Sequence, residues 1–199
     1  MSPQTANPSA RRTELLEASY RYVLTHGLAD LSLRPLAEAV GSSTRVLMFL
    51  FGNKDGLLRA LLERARADEL ALLARLRRAG RPVGLRAAAE QVWQWLAAAE
   101  HRPLLRLWAE AYARSLVEPD GPWAGFARAT VTDWLDVLAA CQPPPERGTA
   151  DGAVRRTLTL AVLRGALLDL LATDDEPRVT AAVHRQLVLL GEDAPAPDD

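Results

Sequence analysis

The stretch LSLRPLAEAVGSSTRVLMFLFGNKDGLLRALL, from Leu31 to Leu62, divides into short segments at recognisable turn residues. An amphipathic segment around residues 36–40 is followed by the turn Gly41-Ser42-Ser43, and a second short segment runs from Thr44 to Phe51. A longer segment then begins at Asn53-Lys54-Asp55. Two short helices joined by a tight turn that contains glycine form a helix-turn-helix. The sequence therefore predicts this motif as the centre of the fold.

The turn chemistry supports this division. Gly41 can adopt the left-handed backbone conformation that ends a helix at little cost. Ser43 or Thr44 can then cap the next helix, because a side-chain oxygen accepts a hydrogen bond from a free backbone N–H group. Leu47 and Phe51 lie four residues apart and place one face of the second helix against the core. The apolar positions of the first helix are Leu33, Leu36, Ala37 and Val40.

The residues at the exposed start of the second helix are candidates for DNA contact. A recognition helix lies in the major groove and uses its first residues for base and phosphate contacts. Lys54 starts the longer helix, where a positive charge and free backbone N–H groups both favour a phosphate. Alternatively, Asn53 only caps this helix and Lys54 is solvated. The candidate DNA-binding residues are Arg34, Ser42, Ser43, Thr44, Arg45, Phe49 and Lys54.

At these residues the chain resembles the TetR family of bacterial transcriptional repressors. The resemblance rests on the leucine, alanine and glutamate before Gly41 and on Leu47, Phe51, Lys54 and Leu57 at the family's spacing. It implies an all-α fold, with an N-terminal three-helix helix-turn-helix DNA-binding domain and a C-terminal helical ligand-binding and dimerisation domain. It also implies a function, that of a homodimeric repressor which binds a palindromic double-stranded operator and is released by a small hydrophobic ligand.

Composition limits the alternatives. The chain has 199 residues with 49% hydrophobic content, enough for a sizeable core in one or two domains. The formal net charge of -1 excludes a wholly basic nucleic-acid coat, so a DNA surface must be local. The single cysteine, Cys141, permits no internal disulfide. We see neither a secretory signal nor a membrane-length apolar run, and we expect a cytoplasmic protein without membrane contacts.

Turn signals and composition predict four segments along the chain. These are a disordered leader at residues 1–10, the helix-turn-helix domain at 11–55, the ligand-binding and dimerisation domain at 56–190, and a disordered acidic tail at 191–199. Apolar spacing predicts helices at 11–26, 54–78, 83–99, 103–117 and 123–140, and a last pair through 154–170 and 178–190. A proline-rich loop, residues 142–145, is expected before the last pair.

All five tryptophans lie between Trp93 and Trp134. Pockets for small molecules are usually lined with aromatic and apolar side chains, and in TetR-like regulators the corresponding helices enclose the inducer pocket. Tryptophans at helical spacing can equally fill a core. Trp108 and Tyr112, four residues apart on one helix face, are the preferred pair. The candidate pocket residues are Trp93, His101, Trp108, Tyr112, Trp123, Phe126 and Trp134.

The last two helices are apolar over much of their circumference. Apolar faces this broad are usually too large to be buried within one small domain. They predict a homodimer built through a four-helix bundle, as the TetR resemblance also implies, and ordinary core burial is the alternative. The candidate interface residues are Leu158, Val162, Gly165, Val183 and Leu187.

Met48, Phe49 and Leu50 depart from the family's pattern, in which a tyrosine and a polar or basic residue often precede the phenylalanine. These three side chains cannot donate hydrogen bonds to phosphate. Phe49 either contacts a thymine methyl group in the major groove or packs against the domain. The alternative function is therefore a TetR-like helical receptor or adaptor that has lost specific DNA binding.

Catalysis has no candidate site in the sequence. His26, His101 and His184 have no partners at metal-ligand spacing, and Cys141 has no histidine nearby. No glycine-rich phosphate loop of a recognised spacing is present. We therefore expect a protein that is not an enzyme and that needs neither a metal nor a cofactor.

Overall fold

A computed structural model describes residues 8–28, 31–77 and 84–192, and every regular element in these ranges is helical. A short 3-10 turn, Ala99–His101, precedes the sixth α-helix. The α-helices are α1 (Pro8–His26), α2 (Leu33–Ala39), α3 (Thr44–Phe51), α4 (Lys54–Arg77), α5 (Leu85–Ala97), α6 (Arg102–Val117), α7 (Phe126–Cys141), α8 (Pro144–Arg147), α9 (Ala150–Thr173) and α10 (Glu176–Glu192). The predicted all-α fold is confirmed.

Most helix boundaries agree with the apolar spacing, and α3 agrees at both ends. Helix α1 already begins at Pro8, so only residues 1–7 of the predicted leader lie outside the described residues, as does the tail from residue 193. The helix expected from Trp123 begins at Phe126, because Trp123 lies in a turn. The proline-rich run, expected to be a loop, contains α8, with Pro144 in the first turn, where no backbone N–H is needed.

The described chain forms two compact units. The first unit contains residues 8–68 and 103–128, and the second contains residues 69–102 and 129–192, in each case without the undescribed positions. Helix α6 thus packs within the first unit, because Leu107 and Ala111 are buried in the same core as α1 to α3. The domain boundary expected at residue 55 does not describe this packing, because α6 lies far beyond it in the sequence.

The core of the first unit is centred on leucines of the helix-turn-helix. Leu36 of α2, Leu47 of α3 and Leu57 of α4 are each 0% exposed. Full burial of a leucine contributes about 1.5–3 kcal/mol. These residues therefore fix α2 and α3 against each other and against the start of α4.

Arg64 joins α1 to α4. Its guanidinium donates to Glu17 at 2.6 Å and to Asp68, and it lies over the ring of Tyr20 at 4.7 Å from the centroid. The Tyr20 hydroxyl donates to Asp68 at 2.9 Å. Burial, and next the hydrogen bond to Asp68, raise the pKa of Tyr20 above its ordinary value. The tyrosine is therefore a neutral donor, and both carboxylates are bound within the unit.

Helices α5, α9 and α10 pack together in the second unit. Trp93 of α5 is 1% exposed, and its Nε1 donates to Oγ1 of Thr180 on α10 at 2.9 Å. The indole N–H of Trp134 donates to the buried carboxylate of Glu69. These two tryptophans thus have defined acceptors, as buried indoles usually do.

None of the described helices is long and apolar enough to cross a membrane.

Thr180→Val tests the hydrogen bond in the second unit. The substitution keeps the shape of the side chain but leaves the buried N–H of Trp93 without its acceptor, and it also removes the hydrogen bond that the Thr180 hydroxyl donates to Glu176. The free energy of unfolding should therefore fall by about 1–3 kcal/mol. Urea unfolding followed by circular dichroism measures the change. Thr157→Val is the control, since the exposed Thr157 hydroxyl only donates to Ala153 on its own helix, and it should cost less than about 0.5 kcal/mol. Equal losses would show that the bond contributes little.

Candidate functional site

The turn between α2 and α3 is closed by hydrogen bonds. The N–H of Ser42 donates to the carbonyl of Ala37 at 2.8 Å, and Gly41 has a φ of 62°. This left-handed conformation is unfavourable for most other residues. Ser43 then caps α3, because its hydroxyl accepts the N–H of Val46 at 3.3 Å. The chain before α3 thus fixes where the helix begins.

Helix α3 has two different faces. Leu47 and Phe51 are 0% and 8% exposed and belong to the core. Arg45 and Phe49 are four residues apart, hence on one face, and both are exposed. Phe49 is 82% exposed, which excludes the alternative that it packs against the domain. The face that carries Arg45 and Phe49 is therefore open to a partner.

The start of α4 is fixed by a cap and a close approach. Oδ1 of Asn53 accepts the N–H of Gly56 at 2.7 Å. A Cβ built on Gly56 would lie 2.1 Å from the carbonyl oxygen of Phe51, so no other residue fits without a backbone shift. Lys54 is the exposed first residue of this helix. The cap is therefore present and leaves the ammonium group accessible beside free backbone N–H groups, a position that favours an anion.

The positive charge of the helix-turn-helix is not cancelled by ion pairs. Glu14 pairs with Arg11 at 2.7 Å on α1, and the two acidic partners of Arg64 are described above. The exposed cations that form no ion pair with any described residue include Arg34, Arg45 and Lys54. With the exposed Glu38 and Asp55 counted against these three cations, the motif keeps a local excess of one positive charge in a chain whose formal net charge is -1.

The seven predicted DNA contacts lie in one continuous part of the first unit, from α2 through the turn and α3 to the start of α4. All are exposed except Ser42, which is half-buried. The Ser43 hydroxyl is engaged in the cap of α3. The remaining side chains are available at the surface, and their contact with DNA stays a prediction.

Four predicted pocket residues lie in the first unit. Trp123 and Phe126 are 4% and 8% exposed and belong to its core. Trp108 and Tyr112 on α6 are half-buried, with ring centroids 5.0 Å apart. The Nε1 of Trp108 is buried and has no hydrogen-bond partner among the described residues. A buried indole N–H without an acceptor is uncommon, which sets Trp108 apart from Trp93 and its defined acceptor.

The other three predicted pocket residues lie in the second unit. Trp93 and Trp134 are buried and hydrogen-bonded as described above. His101 stacks on Trp95 with ring centroids 4.0 Å apart, and its Nδ1 lies 2.8 Å from the Trp95 carbonyl oxygen. The seven residues are thus divided between the two units, and the pocket stays a prediction.

No family model matches the chain. It is 28% identical over 118 residues to the HTH-type transcriptional regulator BetI of Burkholderia thailandensis, a match that covers 59% of this chain and 60% of that protein. With BetI of Paraburkholderia xenovorans it shares 33% identity over 79 residues, 40% of each chain. The matched region thus spans about 60% and 40% of the length of these relatives.

Solved structures match over nearly the whole length. A TetR transcription regulator from Haloarcula marismortui matches with a TM-score of 0.72 and 18% identity, covering 92% of this chain and 97% of that one. The chain thus has the fold of these TetR regulators. A transcriptional regulator from Rhodococcus sp. Rha1 matches this TetR-like chain with a TM-score of 0.74 and 22% identity, covering 94% and 99%. The multidrug binding protein EbrR, complexed with proflavin, matches with a TM-score of 0.62 and 24% identity, covering 88% and 98%.

The last two helices of this TetR-family fold leave a groove between them. The groove has a volume of about 310 Å³, and Val162 and Gly165 line it from α9. Leu158 on the same helix is 48% exposed. Val183 of α10 also lines the groove, but Val183 and Leu187 are only 1% and 0% exposed, so a partner chain has almost nothing left to cover on them. These two belong to the core of the second unit, whereas the three residues of α9 stay candidates for the interface.

One polar link in the TetR-like chain has no signal in the sequence. Oε2 of Glu110 on α6 accepts the N–H of Leu28, just after α1, at 2.9 Å. The other carboxylate oxygen of Glu110 is buried without a hydrogen-bond partner among the described residues. The two bonded residues are 82 positions apart, and no local pattern predicts such a bond. The carboxylate ties α6 to the segment that leads into the helix-turn-helix.

Proposed function

We propose that the protein is a TetR-family transcriptional regulator that represses its target genes. It binds a palindromic operator as a homodimer and leaves the operator when a small hydrophobic molecule binds. The observation that carries this proposal is the exposed face of α3, with Arg45 and Phe49 beside the accessible Lys54. A capped helix with one buried and one open face is what a recognition helix in the major groove requires.

Arg45 and Lys54 should contact different parts of the duplex because they lie at different positions in the motif. Arg45 lies in the first turn of α3 and can reach base edges, where guanidinium groups commonly bind guanine. Lys54 lies at the start of a different helix, where a phosphate is the natural ligand. Base contacts give specificity, whereas phosphate contacts give affinity for any sequence.

Arg45→Ala should weaken operator binding roughly tenfold or more, with a much smaller effect on unrelated DNA, because a base contact is lost. Lys54→Ala should weaken both and reduce the slope of log affinity against log salt by about 1. Fluorescence anisotropy with a duplex selected from random sequences, against a scrambled duplex, measures both effects. Arg106→Ala, which removes an exposed charge outside the helix-turn-helix, is the control for net charge.

Equal losses on both duplexes for Arg45→Ala would contradict its assignment to the bases. If selection enriches no duplex at all, the regulator proposal fails. The alternative, a helical receptor that has lost specific DNA binding, then takes its place.

The proposal of a homodimer rests on α9. Its exposed apolar side chains include Val154 at 56% and Leu158 at 48%, and Gly165 on the same helix lines the groove. Apolar patches of this kind on a soluble protein commonly mark interaction sites. A two-fold dimer also accounts for a palindromic operator, since each copy binds one half-site.

Leu158→Glu should convert the dimer into a 21.7 kDa monomer, because a carboxylate at the centre of the interface would be buried without a partner. Sedimentation velocity measures the mass. Leu116→Glu places the same charge on α6 at a residue that is 65% exposed and should leave the dimer intact. If the Leu158→Glu variant remains a dimer, the interface does not lie on this face of α9.

The ligand proposal rests on α6. Trp108 and Tyr112 form a half-buried aromatic pair, and the Trp108 N–H, which has no acceptor among the described residues, can donate to a ligand. The similarity in fold to EbrR, which has been solved with proflavin, is consistent with a ligand of this aromatic class. Release of the operator further requires that the ligand bind more tightly to the conformation that does not bind DNA. A ligand with equal affinity for both conformations would not change their populations.

A compound that enters this pocket should change the intrinsic tryptophan fluorescence saturably, and Trp108→Phe should remove most of that change. The substitution breaks no hydrogen bond to a described residue, so any loss of stability comes only from the smaller ring. Titration with a panel of planar aromatic compounds that includes proflavin measures the response. Trp95→Phe, which alters the stack on His101 instead, should retain it. A flat response of the wild-type protein across the panel would count against the pocket.

A further inference from the structure

We infer that Phe49 reads the C5-methyl group of a thymine in the major groove, so that operator recognition depends on a methyl group as well as on hydrogen bonds. This inference rests on the proposed function. It adds a base preference at a residue whose side chain has no polar atom.

Phe49 has an exposure unlike that of the other phenylalanines. The chain has 3 phenylalanines, and Phe51 and Phe126 are each 8% exposed, whereas Phe49 is 82% exposed. It is also the most exposed large hydrophobic side chain of the described residues. Exposed apolar surface is unfavourable by roughly 25 cal/mol per Å². The free protein therefore keeps most of this ring in water at a cost in free energy.

The chemistry of a phenyl ring restricts what it can recognise on a duplex. The ring neither donates nor accepts a conventional hydrogen bond, so it cannot bind a phosphate oxygen or the polar edge of a base. The major groove offers one apolar group, the C5-methyl of thymine. The contact that Phe49 can make with a base edge is therefore with this methyl group.

The surroundings of Phe49 favour DNA over an apolar protein surface. Arg45 lies one helical turn before it on the same face, and Lys54 follows α3 at the start of α4, both exposed and without ion pairs to described residues. Thr44 is exposed at the start of the same helix. Val46, at 38%, is the other exposed apolar side chain of α3. Phe49 thus projects from a surface that also carries cations and a hydroxyl group, which is complementary to a polyanion with isolated methyl groups.

The spacing along α3 predicts where the thymine lies. Four residues of α-helix rise by about 6 Å, and successive bases along a strand are about 3.4 Å apart. The thymine read by Phe49 should therefore lie roughly two base steps from the position contacted by Arg45. In a palindromic operator the thymine occurs once in each half-site.

The test replaces thymines of the selected operator with deoxyuridine, one at a time. This change removes only the methyl group and keeps the base pair. With wild-type protein, one thymine per half-site should show a loss of about fourfold in affinity, the factor that corresponds to about 0.8 kcal/mol for one buried carbon group. Substitution in both half-sites should cost about fifteenfold.

Phe49→Ala should bind the thymine and deoxyuridine operators equally well. Because Phe49 makes no internal contacts that bury it, the variant should keep the melting temperature of the wild-type protein. Val46→Ala is the matched control, since Val46 is a partly exposed apolar residue, at 38%, on the same helix. This control should retain the sensitivity to deoxyuridine at the Phe49 position.

The outcomes separate this inference from the proposed function. Specific binding that is indifferent to every deoxyuridine substitution would overturn the inference and leave the regulator in place. Sensitivity that persists in Phe49→Ala would assign the methyl contact to another residue and equally overturn it. If no duplex is selected, the regulator itself fails, and an exposed Phe49 would then serve a protein partner instead.

Discussion

Helices of seven and eight residues are too short to be stable by themselves in water, because few hydrogen bonds offset the cost of nucleation. Helices α2 and α3 exist in this chain because Leu36 and Leu47 are buried in one core with Leu57. The outward face of α3 is held in position only because the opposite face of the helix is buried. The candidate DNA surface is therefore held in place by apolar contacts between residues that are not part of that surface.

Electrostatics then determines what this surface can attract. Arg64 binds Glu17 and Asp68, so these two acidic groups are paired within the first unit. Exposed cations such as Arg34 and Arg45 have no such partners among the described residues. A chain with a formal net charge of -1 gains little long-range attraction to DNA, so these exposed cations act mainly within a Debye length of the phosphates.

Local rules predicted the helix-turn-helix well and the rest of the structure less well. The bounds of α3 follow from Ser43 as a cap and from the four-residue spacing of Leu47 and Phe51. Packing between distant segments has no such signature, which is why α6 in the first unit was not predicted. The bond from the N–H of Leu28 to Glu110 is of the same kind. The proline-rich run was expected to be a loop because proline usually ends helices, yet it starts α8.

The candidate ligand residues show a second limit of sequence reasoning. Tryptophan spacing does not distinguish a core indole, such as Trp93 with its acceptor Thr180, from Trp108, which has no acceptor among the described residues. That difference depends on whether a neighbouring helix places a hydrogen-bond acceptor next to the indole nitrogen. The same limit applies to α10, where Val183 and Leu187 face the interior although their apolar pattern equally suits an interface.

The two-faced character of α3 also bears on how such a protein can evolve. Arg45 and Phe49 contribute nothing to the core, whereas Leu47 and Phe51 contribute nothing to the outer surface. Mutations on the outer face can therefore change the preferred DNA sequence with little loss of stability, since exposed positions tolerate substitution. After gene duplication, two copies of this chain could diverge toward different operators while sharing one buried core of leucines.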